Sequence, residues 1–119
     1  MSYRDLTVWQ RAMDLADVAY EMTKSFPRDE RFGLTSQLQR SAVSIPSNIA
    51  EGHGRDHLGE YLHHLSIANG SLMELETQLT IAARRNYVGN ADTQRGLDLS
   101  GDVGRLLAGL VRALKARRP

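Results

Sequence analysis

The residues of this chain best equipped for chemistry crowd around His53, His57, Glu60 and His64. His57, Glu60 and His64 fall on one face of a helix, and imidazole with carboxylate is a donor set for zinc or iron. Gly54 and Gly59 leave the backbone between them unfixed, and the paired Glu-x-x-His motif of di-iron bundles is absent. A solvated corner between two helices, without a metal, is the favoured reading. Glu51, Glu74 and Glu76 offer general acid or base chemistry if burial brings them together; the plainer expectation is carboxylates bonded to Arg, Asn or Ser across a helix contact. Ser41, Ser44 and Ser71 have no strand-turn-helix setting of a nucleophile, and the glycines near Glu51 follow no strand. No active site is expected, so the chain reads as non-enzymatic and without a cofactor.

The basic residues are more suggestive. From Val103 onward the sequence holds Arg105, Arg112, Lys115, Arg117 and Arg118 and no acidic residue, and Arg84 with Arg85 ends an earlier amphipathic segment. Such a face suits nucleic-acid phosphate, while cations at helix C-termini equally complement the helix dipole and keep a surface soluble. The net charge of the 119 residues is only +1, far from a dedicated nucleic-acid binder, so an anionic partner must be met by a local patch. Thirteen of the fifteen basic residues are Arg, which fits phosphate recognition and fits the codon bias of a GC-rich genome as well.

These groups must be positioned by helices. No period-two alternation, repeat or Gly-rich linker divides the chain, and its length fits one domain over residues 1–119. The first helix, near 6–25, carries two apolar rows: Leu6, Trp9, Met13, Ala16, Tyr20 and Thr23, and beside them Val8, Ala12, Leu15, Ala19, Met22 and Phe26. The second, near 34–52, sets Leu34, Leu38, Ala42, Ile45 and Ile49 beside a polar row of Gln37, Ser41, Ser44, Asn48 and Glu51. Small polar residues in that pattern allow close backbone approach and hydrogen bonds across a contact. Pro46 is expected to bend this helix without ending it, because the apolar stripe resumes in register. The third, near 57–86, has Leu58, Tyr61, Leu65, Ala68, Leu72, Leu75, Leu79 and Ala82 in unbroken heptad spacing. Ile67 and Ile81 fall opposite that seam with Glu74 between them, which points to a covered outer face and hence to a homo-oligomer. The fourth, near 92–117, begins between Asn90 and Ser100, either of which suits a cap. Cysteine is absent, so disulfides and thiolate metal sites are excluded. No apolar run approaches a membrane span, and the N-terminal ten residues carry charges; a cytoplasmic protein is expected.

Several strings carry a resemblance. They are the FP-x-x-E hinge with the residues to Leu34, the QLQRS run at Gln37 to Ser41, SIPSNIAEG at Ser44 to Gly52, and IANGSLMELE at Ile67 to Glu76. With these the chain, from Asp5 to Asn86, resembles the bacterial four-helix-bundle proteins encoded in intervening sequences of large-subunit ribosomal RNA genes. That group looks related to the accessory variability determinant proteins of diversity-generating retroelements. The resemblance implies an all-α, up-down-up-down four-helix bundle assembled into a pentameric ring, without catalytic activity. It implies RNA or DNA, or a partner protein such as a reverse transcriptase, as partners. It also makes Gln37, Asn48, Glu51, Ser71 and Glu74 seam or interface groups, to which the spacing adds Ser41, Ser44, Ile67 and Ile81.

Overall fold

The computed structural model describes residues 1–117. Its four helices are α1 (Thr7–Thr23), α2 (Leu34–His53), α3 (Leu58–Arg84) and α4 (Asn90–Lys115), with single 3₁₀ turns at Tyr3–Asp5 and Arg28–Glu30 and no strand among the described residues. Each helix packs on the next, α4 closes back on α1, and the diagonal pairs do not meet. This is the antiparallel four-helix bundle, drawn out to 50 × 24 × 20 Å, and α2 with α3 makes its most extensive contact. One end, the lower, holds the N-terminal turn, the α2–α3 connection and the C-terminus of α4. The upper end holds the α1–α2 and α3–α4 connections.

The core is aliphatic: Leu15, Leu38, Ile45, Ile49, Leu65, Leu72, Leu75, Leu79, Val103 and Leu107 are almost wholly withdrawn from water. The α3 heptad lines it from Leu65 to Ala82. In α1 the two apolar rows separate. Val8, Ala12, Leu15, Ala19 and Met22 are buried, whereas Met13 and Tyr20 of the other row are exposed and Trp9 and Ala16 half-buried. The second row borders the core: Leu6, Trp9 and Ala16 pack against its edge and Thr23 is buried, and Val18, outside either row, completes the buried set.

Helix α2 runs unbroken through Pro46, which is itself buried. Its first turn is capped from a distance: a carboxylate oxygen of Glu30 accepts the Leu34 amide at 3.2 Å. The third helix stops at Arg84, short of residue 86, because Asn86 takes a left-handed conformation (φ 61°). The amides of Asn86 and Tyr87 then bond the carbonyls of Ala83 and Ala82 at 3.0 and 2.9 Å, the Schellman closure. The fourth helix begins at Asn90, two residues before the expected start, with Gly89 as its cap. Ser100 is no cap; it lies fully buried in mid-helix, its hydroxyl donating to the Glu76 carboxylate of α3. Among the described residues no helix is long and apolar enough to cross a membrane.

Candidate nucleic-acid interface

The polar row of α2 meets α3 inside the chain. Ser71 donates to the Ser44 hydroxyl at 2.8 Å, and the Asn48 amide donates to the carbonyl and hydroxyl oxygens of Ser44 at 2.9 and 3.0 Å. His64 Nδ1 lies 3.0 Å from Asn48 Oδ1 and 3.6 Å from a Glu51 oxygen. A continuous chain of bonds therefore joins two helix backbones whose side chains are too short to hold them apart. Gly52 continues the approach: a Cβ there would stand 2.9 Å from His64 Cβ and 3.2 Å from the Tyr61 carbonyl oxygen. The row is a lock between helices. Gln37 lies outside it, exposed, and Ser41 is buried.

The catalytic candidates do not converge. Glu51 and Glu74 are exposed, and Glu76 faces α4 through Ser100. Among the described residues no three His or carboxylate side chains gather as a metal site. His64 is engaged by Asn48 and Glu51, His53 lies edge-on to the Tyr61 ring, and His57 is the residue preceding the first turn of α3.

The cations fall at two ends of the molecule. Arg84 and Arg85 close α3 at the upper end, with the Arg85 guanidinium 5.9 Å from the Tyr87 ring centre. Arg112, Lys115 and Arg117 lie in and just past the last turns of α4 at the lower end. A helix of this length separates the two sets by about 40 Å. Arg105, between them, is clamped by Asp102, which also takes Arg11 at 3.3 Å. Arg112, Lys115 and Arg117 form no ion pair among the described residues. Arg118 lies outside the described residues. Burial pushes the Tyr61 phenol above its ordinary 10.0, and the positive charge of Arg117 works against that rise, which puts the end of α4 beside the start of α3.

Carboxylates gather elsewhere. Asp14, Asp17 and Glu21 of α1 line a groove with Asp98 and Asp102 of α4. Arg11 and Arg95 share this groove, so the fourth helix is net acidic, not purely acidic, where it faces α1 and basic in its last turns, a segregation that the near-zero net charge conceals. Beside those last turns runs a groove between α3 and α4, with Leu62, Leu65, Leu107 and Val111 as its apolar floor and Arg112 and Lys115 at its rim. Spacing had not marked Asp102, Arg11 or the α1–α4 acidic groove, because their partners are about ninety residues apart in sequence.

Comparison with known proteins agrees with this architecture. No curated protein sequence matches the chain. A crystal structure of a protein of unknown function from the S23 ribosomal protein family, from Bacteroides thetaiotaomicron, superposes with a TM-score of 0.79 over 88% of this chain and 98% of that one, at 21% identity. At that identity the likeness shows the fold. The family model of the 23S rRNA-intervening sequence proteins matches residues 4–109, nearly the whole bundle, and the chain belongs to that family.

Proposed function

We propose that this chain is a non-enzymatic, homo-oligomeric helical scaffold that associates with the phosphate backbone of nucleic acid, RNA or DNA, through the cationic end of α4. The observation that supports the reading is the charge segregation along α4. Among the described residues Arg112, Lys115 and Arg117 have no carboxylate partner at the lower end, while Asp98 and Asp102, earlier in the same helix, line the α1–α4 groove. Unpaired guanidinium and ammonium groups on one helix end release counterions when they meet phosphate. A ring of copies, five-fold as the family resemblance implies, multiplies a modest patch into a band. Ile67 and Ile81, both exposed on α3, suit the subunit contact.

Fluorescence anisotropy against a structured RNA and a duplex DNA over a salt series tests this, with the subunit number fixed by light scattering. Affinity that falls linearly in log–log form is expected, and Arg112→Glu with Lys115→Glu should lower that slope by roughly 1 to 2. Absence of binding even at low salt would overturn the reading in favour of an adaptor that meets a partner protein, which the +1 net charge and the exposed apolar side chains favour.

A further inference from the structure

At the upper end of the bundle, remote from Arg112 and Lys115, we infer that Phe32 and Arg31 form a stacking platform for an unpaired nucleobase, so that this tip takes single-stranded nucleic acid. The inference rests on the nucleic-acid reading above and adds the class of strand to it.

Phe32 is 87% exposed, and apart from Met1 no other large apolar side chain among the described residues exceeds the 47% of Tyr20. The ring takes no part in the core, so its faces are available at the surface. The Arg31 guanidinium lies 5.1 Å from its centre, which leaves the opposite face of the ring open to a planar partner. The turn that carries it is held in place. The Gly33 amide bonds the Glu30 carbonyl at 2.9 Å, one Glu30 carboxylate oxygen accepts the Leu34 amide, and the other accepts the Tyr87 hydroxyl at 3.0 Å. Gly33 itself is pressed on that carboxylate, its absent Cβ only 2.7 Å from Oε1. Because the ring is presented from a bonded turn, little ordering entropy remains to be lost when a ligand stacks on it.

The surroundings choose the ligand. Arg28 and Arg31 sit on the turn, and the Tyr87 bond brings the α3 terminus, with Arg84 and Arg85, alongside. Of the nearby acidic groups, Glu30 is spent in the bonds just described and Glu21 is paired with Lys24 at 3.0 Å; Asp29 stays exposed. An open aromatic face among guanidinium groups matches a base with its phosphates. Duplex nucleic acid hides its base faces except at its ends, so single strands are the complementary class.

The test measures the full chain by anisotropy against a labelled oligouridylate of about 12 nucleotides and a blunt RNA duplex of equal length. Phe32→Ala should weaken oligouridylate binding about tenfold, leave the duplex affinity and the salt slope unchanged, and leave thermal unfolding unchanged, since an exposed ring contributes little to the core. Phe32→Trp should restore binding, with indole emission quenched as the strand is added. Equal oligouridylate affinity for the wild type and Phe32→Ala, or an equal loss on both probes, would overturn the platform. A wild type that binds neither probe overturns this inference together with the proposed function. If Arg112→Glu with Lys115→Glu leaves oligouridylate binding intact while Phe32→Ala removes it, the tip stands and the α4 end falls; the converse removes the tip alone.

Discussion

The two contacts that α2 and α4 make with their neighbours solve the same problem in opposite ways. Between α2 and α3, small side chains and Gly52 let the backbones close together, and Ser44, Asn48, Ser71 and His64 exchange hydrogen bonds in the space that is left. Between α1 and α4 the polar groups are long and charged, the contact is an open groove, and Arg11, Asp102 and Arg105 pair at its solvent-exposed rim. Polar groups shut inside a contact must all be bonded, and each carries a cost if its partner is lost. Exposed ion pairs are screened and individually weak. The α2–α3 seam is therefore where the fold is specified, and the outer surface of α4 is free to vary its charge.

Glycine gives the largest way to break the contrast. Gly52→Ala drives a Cβ into His64 Cβ and the Tyr61 carbonyl oxygen, atoms that cannot move without the helix. A net loss of about 2 kcal/mol is expected by urea unfolding after the gain in helix propensity. The same change at Gly96 meets only the ends of Met22 and Leu79, flexible groups that can turn aside, so its cost should stay within about 1 kcal/mol. Equal losses at the two sites would refute the view that α2 and α3 are the rigid pair.

Ser71→Ala comes next. It removes the donor to Ser44 at the centre of the lock, and about 1 kcal/mol should be lost, with the urea midpoint reporting it. Asp102→Asn, on the other contact, should shift stability by no more than about 0.5 kcal/mol. By releasing Arg11 and Arg105 it should raise affinity for RNA at low salt, and the two readouts moving apart would sharpen the comparison. Asn86→Gly, which puts the residue of least strain at the left-handed end of α3, should stabilise by a few tenths of a kcal/mol in thermal unfolding.

The smallest effect is a pH dependence. The Tyr61 phenol is raised above 10.0 by burial, so the folded state holds its proton more tightly than the unfolded chain. The associated stability is fully present below pH 10 and is lost as pH rises through the raised value. Tyr61→Phe should remove this alkaline decline, which unfolding curves recorded between about pH 9 and 11 would detect.

Particular residues show why some of this was readable in the sequence and some was not. The α3 heptad was legible because eight apolar positions in strict register leave one way to orient the helix. In α1 two rows competed, and which of them faced the core depended on where α2 and α4 stood. The polar row of α2 was visible by its spacing, whereas the identity of its partners, Ser71 and His64, follows only from the register of one helix against the next. The buried Gln78, whose side-chain oxygen has no hydrogen-bond partner among the described residues, carried no signal in a helix rich in exposed polar residues. Phe32 carried a faint one: a large aromatic side chain between Arg31 and Gly33, in step with neither flanking helix.

By itself the sequence determined four amphipathic helices, their approximate bounds, a close-packing polar row on α2 and the family, because hydrophobic period and small-residue spacing are local properties of the chain. Only the tertiary structure decided where the charges stand. Arg84 and Arg112 are both helix-terminal cations, yet antiparallel packing sends them to opposite ends of the bundle, and Arg105 is held by an acidic partner that also reaches to α1. Charge acts through space, and distance through space is set by topology.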